Sequence, residues 1–173
     1  MSEDDRALLL ETADKLAILD CLARYCRGID RMDATTHASV YWPDGIESRG
    51  THIYEGPAPG FIDWVKGFIE PLRTQHFLGQ SIIEFSTATT ANVETYVQAY
   101  HLGKGNFNDE ELIVGARYLD KFEKRDGEWR IKHRTMVVDY HRTKTASETD
   151  RYERGGANLG RKAPEDLLYK VFV

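Results

Sequence analysis

With 173 residues and 41% hydrophobic content, the chain is long enough for one domain with a buried core. Its formal charge of −5 and isoelectric point near 5.7 exclude a basic nucleic-acid face. No run reaches the ~20 apolar residues of a spanning helix, and the acidic start "MSEDDRALLL" lacks the basic opening of a secretory signal, so a soluble, cytoplasmic protein is expected.

From Leu8 to Ile29 apolar residues recur at helical spacing, with Ile18, Leu22, Tyr25 and Ile29 on one stripe, which predicts an opening helix. Cys21 and Cys26 sit about 140° apart around it, too divergent for a local bridge, and are expected as reduced thiols in or near the core. "GIDRMD" ends the helix, and Asp33 is placed to cap a short second helix through "ATTHASVYW". "WPDG" reads as a turn, with "IESRG" and "HIYEG" as a small hairpin beyond it. A third helix is predicted from Pro59 to Leu72, where Phe61, Val65, Phe68, Ile69 and Leu72 have core spacing and Pro71 limits continuation.

The period then changes to that of strands. His76 to Phe85, Ala91 to Leu102, Leu112 to Lys124 and Glu128 to Tyr140 are rich in β-branched and aromatic residues, and Asp126-Gly127 suits a tight hairpin. "GKGNFNDEE" is a polar loop between the middle strands. Beyond His141, "RTKTASETDRYERGGANLGRK" reads as a mobile or partner-wrapped arm leading to a short apolar "EDLLYKVFV" segment. Helices first and a strand meander afterwards predict an α+β fold, with helices on one face of a curved antiparallel sheet.

Alternation groups His76 with Leu78, Gln80 and Ile82, and Phe77, Ile83 and Phe85 on the opposite face. A strand apolar on both sides places His76 either in the core, the commoner role of a lone histidine, or in an apolar pocket where a partner sets its basicity. Asp30, just past the first helical stripe, is a cap or turn carboxylate, or the group that orients His76 as a metal-free general base. His101 shares the parity of Val93, Thr95, Val97 and Ala99, and so either faces the same concavity or sits at its rim. Tyr25 is a core tyrosine or a hydrogen-bond donor to a substrate oxygen. Arg134 and Asp139 have opposite parity on the last strand, so without a bulge at most one faces the pocket. Arg134, Tyr54 and Trp64 are the candidate substrate contacts. Zinc spacings, HExxH, a glycine-rich phosphate loop and GxSxG are all missing from the sequence, which favours chemistry needing a base and a shaped cavity, with no metal or other cofactor expected.

"ARYCRGIDRMD", "RTQHFLGQ" and "GARYLDKFEKRDGEWRIKHRTMVVDY" occur in an order and spacing that resemble the SnoaL-like branch of the nuclear transport factor 2-like, or cystatin-like, superfamily from about Lys15 to Arg142. The resemblance implies a cone-shaped α+β barrel over residues 1–142 and a C-terminal arm, 143–173, of the same domain at a subunit boundary or over the pocket. Within the superfamily, "RTQHF-G" and the later "YH" are similar to scytalone dehydratase, whose two histidines match His76 and His101. The aspartate of "GID" resembles the one that orients the first histidine there and in hexachlorocyclohexane dehydrochlorinase, which gives Asp30 that role. Bile acid 7α-dehydratase has a tyrosine five residues before its aspartate, matching Tyr25. Ile29 stands where scytalone dehydratase has a tyrosine, and for its second water-binding tyrosine only Tyr41 and Tyr54 are nearby.

These matches imply a cofactor-independent lyase, acting on a small hydrophobic cyclic or aromatic substrate, in a homodimer or homotrimer. A ketosteroid-type isomerase would share the first proton abstraction. A non-catalytic assembly module, as in the β subunits of ring-hydroxylating dioxygenases, or a simple binder of hydrophobic ligands is the reading from another class.

Overall fold

Helix α1 (Glu3–Arg31) starts before the predicted Leu8 because Ser2 and Asp5 form a capping box: each side chain accepts the other's backbone N–H at 3.0 Å. It ends at Met32 in the left-handed region, φ 52° and ψ 37°. The computed structural model describes residues 1–103, 110–145 and 160–171. Among these no helix is long and apolar enough to cross a membrane.

Asp33 caps α2 (Ala34–Ala38), accepting from the Thr36 N–H at 3.0 Å. The helix is shorter than expected because Val40, Tyr41 and Trp42 turn into the sheet, where Ile131 N–H donates to the Val40 carbonyl at 2.9 Å. "WPDG" is therefore no turn between elements but part of β1 (Tyr41–Gly50). Pro43 has no N–H to give the ladder, and pairing with the neighbouring strand shifts register between Tyr41 and Ile46. The expected small hairpin is present, as β1 pairs antiparallel with β2 (Tyr54–Pro57). Helix α3 (Ala58–Ile69) follows, and Pro71 lies just past its end.

The long strands are β3 (Arg73–Thr87), β4 (Thr90–Leu102), β5 (Glu110–Arg125) and β6 (Glu128–Thr145). Asp126 and Gly127, with φ 52° and 83°, make the tight β5–β6 hairpin. Sheet order is β2-β1-β6-β5-β4-β3, antiparallel throughout except for β1, which runs parallel to β6, so the sheet is mixed where a purely antiparallel one was expected. This is an α+β fold in which α1 and α3 pack on the inner face of the curved sheet: Ile18, Leu22 and Tyr25 of α1 and Phe61 of α3 share one core with Val93, Tyr118, Trp129 and Ile131.

A bulge in β3 changes the expected face assignment. Leu78 pairs with Val97 but Ser81 already pairs with Thr95, so Gly79 and Gln80 oppose a single residue and parity reverses. His76 and Leu78 share one face as expected and point inward with Thr74, followed by Ser81, Ile83 and Phe85, while Gln80 and Ile82 face outward. The outer face is not buried: Phe77 and Ile82 are 68% and 56% exposed.

The described C-terminal residues pack against the end of α1 in the same chain. Ala163 N–H donates to the Arg31 carbonyl at 2.6 Å, and Tyr169, in the short α4 (Leu168–Val171), donates to Asp33 at 2.7 Å. The expected arm falls largely on residues 146–159, and the polar loop on 104–109, both outside the described residues.

Candidate active site

Asp30 lies in the last turn of α1 and His76 near the start of β3, and the packing of α1 over β3 brings them together. The carboxylate grips the histidine twice, accepting from the His76 backbone N–H at 2.9 Å and contacting ring Nδ1 at 2.7 Å. Burial by itself would raise the Asp30 carboxyl, but these hydrogen bonds, with the His76 ring and Thr74 alongside, outweigh it and hold the group below its ordinary value. An ionised carboxylate can only accept, so the Nδ1 that faces it carries a proton.

His76 lines a cavity of about 440 Å³ whose walls are mostly apolar, with Ile29 and Val65 from the helices and Val97, Ala99 and Leu112 from the sheet. Asp30 lines a second, polar cavity of about 530 Å³ together with Arg31, Thr74, Arg161 and Lys162. The pair thus bridges a mostly apolar chamber and a polar one. Lys162 donates to the Asp30 carbonyl at 3.0 Å and to Thr74 Oγ1 at 3.3 Å, tying the C-terminal segment to the carboxylate's residue.

His101 faces the same cavity, its ring centroid 5.9 Å from that of His76 in a T-shaped arrangement. Burial, reinforced by the neighbouring His76, pushes its pKa down to about 4, so it is a neutral imidazole at neutral pH. Tyr25 is fully buried and lines the cavity, its hydroxyl accepting from Arg49. Burial raises its pKa although Arg49 opposes this, so the phenol keeps its proton and can donate. Trp64 lines the cavity beside Phe61 and Phe68.

Two expected substrate contacts lie elsewhere. Arg134 is fully buried in a bidentate pair with Asp120, at 2.7 and 2.6 Å, and stacks between the rings of Tyr25 and Tyr118, so it supports the cavity wall without lining it. Asp139, its neighbour of opposite parity, faces outward to Arg117. Tyr54 packs behind Trp64 and Phe61 and donates to the Pro57 carbonyl at 2.7 Å. Tyr41 is buried against Glu47 and also lies outside the lining.

Arg49 and His52 are cavity residues that sequence reasoning missed. Arg49 is held by Glu47 at 2.5 Å, donates to Tyr25 and lies over the Phe61 ring. The alternation of "IESRG" carried a signal, since Glu47 and Arg49 share a parity and are opposite in charge. Cys21 and Cys26 are buried free thiols pushed up to about 12 by desolvation, which removes them as nucleophiles. Among the described residues, no cluster of three or more His, Cys, Asp or Glu side chains is placed to hold a metal ion.

The profile of the SnoaL-like domain family matches residues 10–135, which spans most of α1, all of α2 and α3, and both members of the pair. The chain belongs to the SnoaL-like domain family. Hexachlorocyclohexane dehydrochlorinase 1 of Sphingobium indicum is 28% identical to this SnoaL-like protein over 146 residues, covering 81% of this chain and 88% of the relative. A solved structure of the type 2 form of that enzyme superposes with a TM-score of 0.72 at 20% identity, over 82% of this chain and 98% of that one. The proposed scytalone dehydratase of Novosphingobium aromaticivorans gives a TM-score of 0.67 at 20% identity, over 82% and 97% of the two chains. From another functional class, subunit beta 2 of the terminal oxygenase of terephthalate 1,2-dioxygenase from a Comamonas species is 28% identical over 127 residues, 69% of this SnoaL-like chain and 71% of the subunit. Distant relatives of this protein thus include lyases and an oxygenase subunit.

Proposed function

We propose that this protein is a lyase of the dehydratase or dehydrohalogenase type, in which His76 removes a proton from carbon in a small, largely apolar cyclic substrate. The observation that carries the proposal is the Asp30–His76 pair at the wall of the apolar chamber, with Nδ1 committed to the carboxylate and Nε2 left as the base. As the C–H bond breaks, its electrons form a carbon–carbon double bond and the adjacent leaving group departs. In a dehydration the proton passes from His76 to the leaving hydroxyl, which leaves as water. In a dehydrochlorination chloride departs and the proton returns to solvent.

Asp30 stabilises the imidazolium formed in between, inside a chamber whose apolar walls strengthen the interaction. Tyr25, polarised by the guanidinium of Arg49, donates to an oxygen of the substrate or to the leaving group. His101, neutral at working pH, serves as a hydrogen-bonding neighbour rather than a cationic acid. No step calls on a cofactor.

A panel of cyclic β-hydroxy ketones and hexachlorocyclohexane isomers, followed for double-bond formation, water loss and chloride release, tests this reading. The expected result is turnover of at least one member and a loss of at least ~10²-fold in His76→Ala, whose fold is unchanged by circular dichroism. Full activity in His76→Ala would remove the histidine from the base role. The likeness to a dioxygenase β subunit supports a second reading, an assembly module, which absence of turnover across the panel together with a stable hetero-complex would favour.

A further inference from the structure

Helix α1 carries two apolar stripes, and the described residues of its own domain cover one of them. Ile18, Leu22, Tyr25 and Ile29 face the core. On the far side Leu8, Thr12, Leu16, Leu19 and Ala23 follow one another at three- and four-residue spacing, with Leu9 flanking them. Leu8, Leu9, Leu16 and Leu19 are 65%, 58%, 62% and 42% exposed. The Thr12 hydroxyl donates to the Leu8 carbonyl at 2.8 Å, which satisfies its polar end within the helix. Every residue from Glu3 to Ala13 is exposed, and a helix segment of that length is marginal in water without burial of an apolar face.

The ends of this stripe have opposite charge. Asp5 precedes Leu8 by three residues, within an acidic first turn of Glu3, Asp4 and Asp5, and exposed Arg27 follows Ala23 by four. We infer that the exposed stripe of α1 docks against the same stripe of a second copy, antiparallel, about a two-fold axis between Thr12 and Leu16. That arrangement sets Leu9 of one copy near Leu19 of the other and brings each acidic first turn towards the other's basic end. A parallel pairing would put acid on acid and Arg27 on Arg27. An anionic lipid surface is disfavoured by the same acidic turn. The outer sheet face also exposes Phe77, Tyr96 and Tyr140, but the ion pairs of Arg117 with Glu94 and Asp139 interrupt it and it has no such end-to-end polarity.

The test is sedimentation velocity of the full chain over a range of concentrations, with circular dichroism as a check on helicity. The wild type is expected to contain dimers or an even-numbered assembly. Leu16→Lys should weaken association by about thirtyfold or more, as for a central interface residue. Arg27→Glu should also weaken it, and adding Asp4→Lys with Asp5→Lys to that variant should restore it. As a measurement independent of mass, Leu16→Cys should give a cross-linked dimer with a short bis-maleimide, the native Cys21 and Cys26 being buried. A wild type that stays monomeric at every concentration would overturn the inference. So would an assembly that ignores Leu16→Lys and dissociates with Tyr96→Lys.

Discussion

Asp30 holds His76 by ring and backbone together, so its charge and its geometry are separable by substitution. Asp30→Asn keeps the shape but cannot supply the charge that supports an imidazolium, and turnover should fall by about 10²–10⁴-fold while the fold survives. Steady-state kinetics beside a denaturation curve checks this. Buried histidines add a demand of their own on pH. Burial, with Arg134 and Arg49 nearby, lowers His37 to about 3, and His101 lies at about 4, against an ordinary 6.5. Both are neutral in the folded state and gain protons on unfolding below their ordinary value, so their stabilisation is complete above pH 6.5 and lost as pH falls from there towards 3. Asp30, lowered from 3.8, adds a loss only below that value. Urea unfolding at neutral pH and at pH about 5 should show lower stability in acid. His37→Phe, placed among Tyr25, Tyr41 and Phe61, should flatten that dependence. At this scale the residue pattern alone left Asp30 as a cap and His76 as a core histidine equally open, and it was the resemblance carried by "GIDRMD" and "RTQHFLGQ" that paired them. Arg49 was not legible, because a charged residue in a short hairpin reads as surface until the ion pair with Glu47 and the overlying Phe61 ring are seen.

Among the elements, α1 against α2 is a place where propensity and packing disagree. Gly28 sits inside α1, where alanine would favour the helix by about 1 kcal/mol. A Cβ there would lie 2.8 Å from the His37 backbone nitrogen, however, and backbone cannot step aside as a side chain can. Overpacking of this kind costs about 1–3 kcal/mol, so Gly28→Ala is expected to destabilise, with chemical denaturation as the check. The presence and order of α1, α3 and the four long strands followed from periodicity, but their ends did not: α1 starts at Glu3 where Leu8 was expected, and β6 runs to Thr145 where Tyr140 was. The β3 bulge did not, since strict alternation has no means of announcing an extra residue, although Gly79 inside the strand marks the place. It matters to the site: without the parity reversal, His76 and the core residues Ile83 and Phe85 could not face inward together. The parallel run of β1 beside β6 was equally hidden, because it depends on where a short edge segment lands and not on its own pattern.

Across the whole molecule, the pair sits at a junction of helix, sheet and C-terminal segment. The first two lie within the family match at residues 10–135, while Lys162 and Asp166 come from beyond it. Lys162 completes the end of α1 by donating to the Asp30 carbonyl, an acceptor with no partner inside the helix, and its charge favours the ionised carboxylate. Lys162→Met is expected to cost about 1 kcal/mol of stability and to raise the Asp30 pKa, measurable by carbon NMR of its carboxyl. The α+β class was legible from helices preceding a strand meander, but this closure was not, because nothing local in "GRKAPED" points to the far end of α1.

The most direct test of the proposed base is nitrogen NMR of the His76 ring at neutral pH, which needs no substrate. A proton on Nδ1 and an unprotonated Nε2 are expected, with that tautomeric preference weakened in Asp30→Asn. A proton on Nε2, or a spectrum indifferent to Asp30→Asn, would contradict the general-base account.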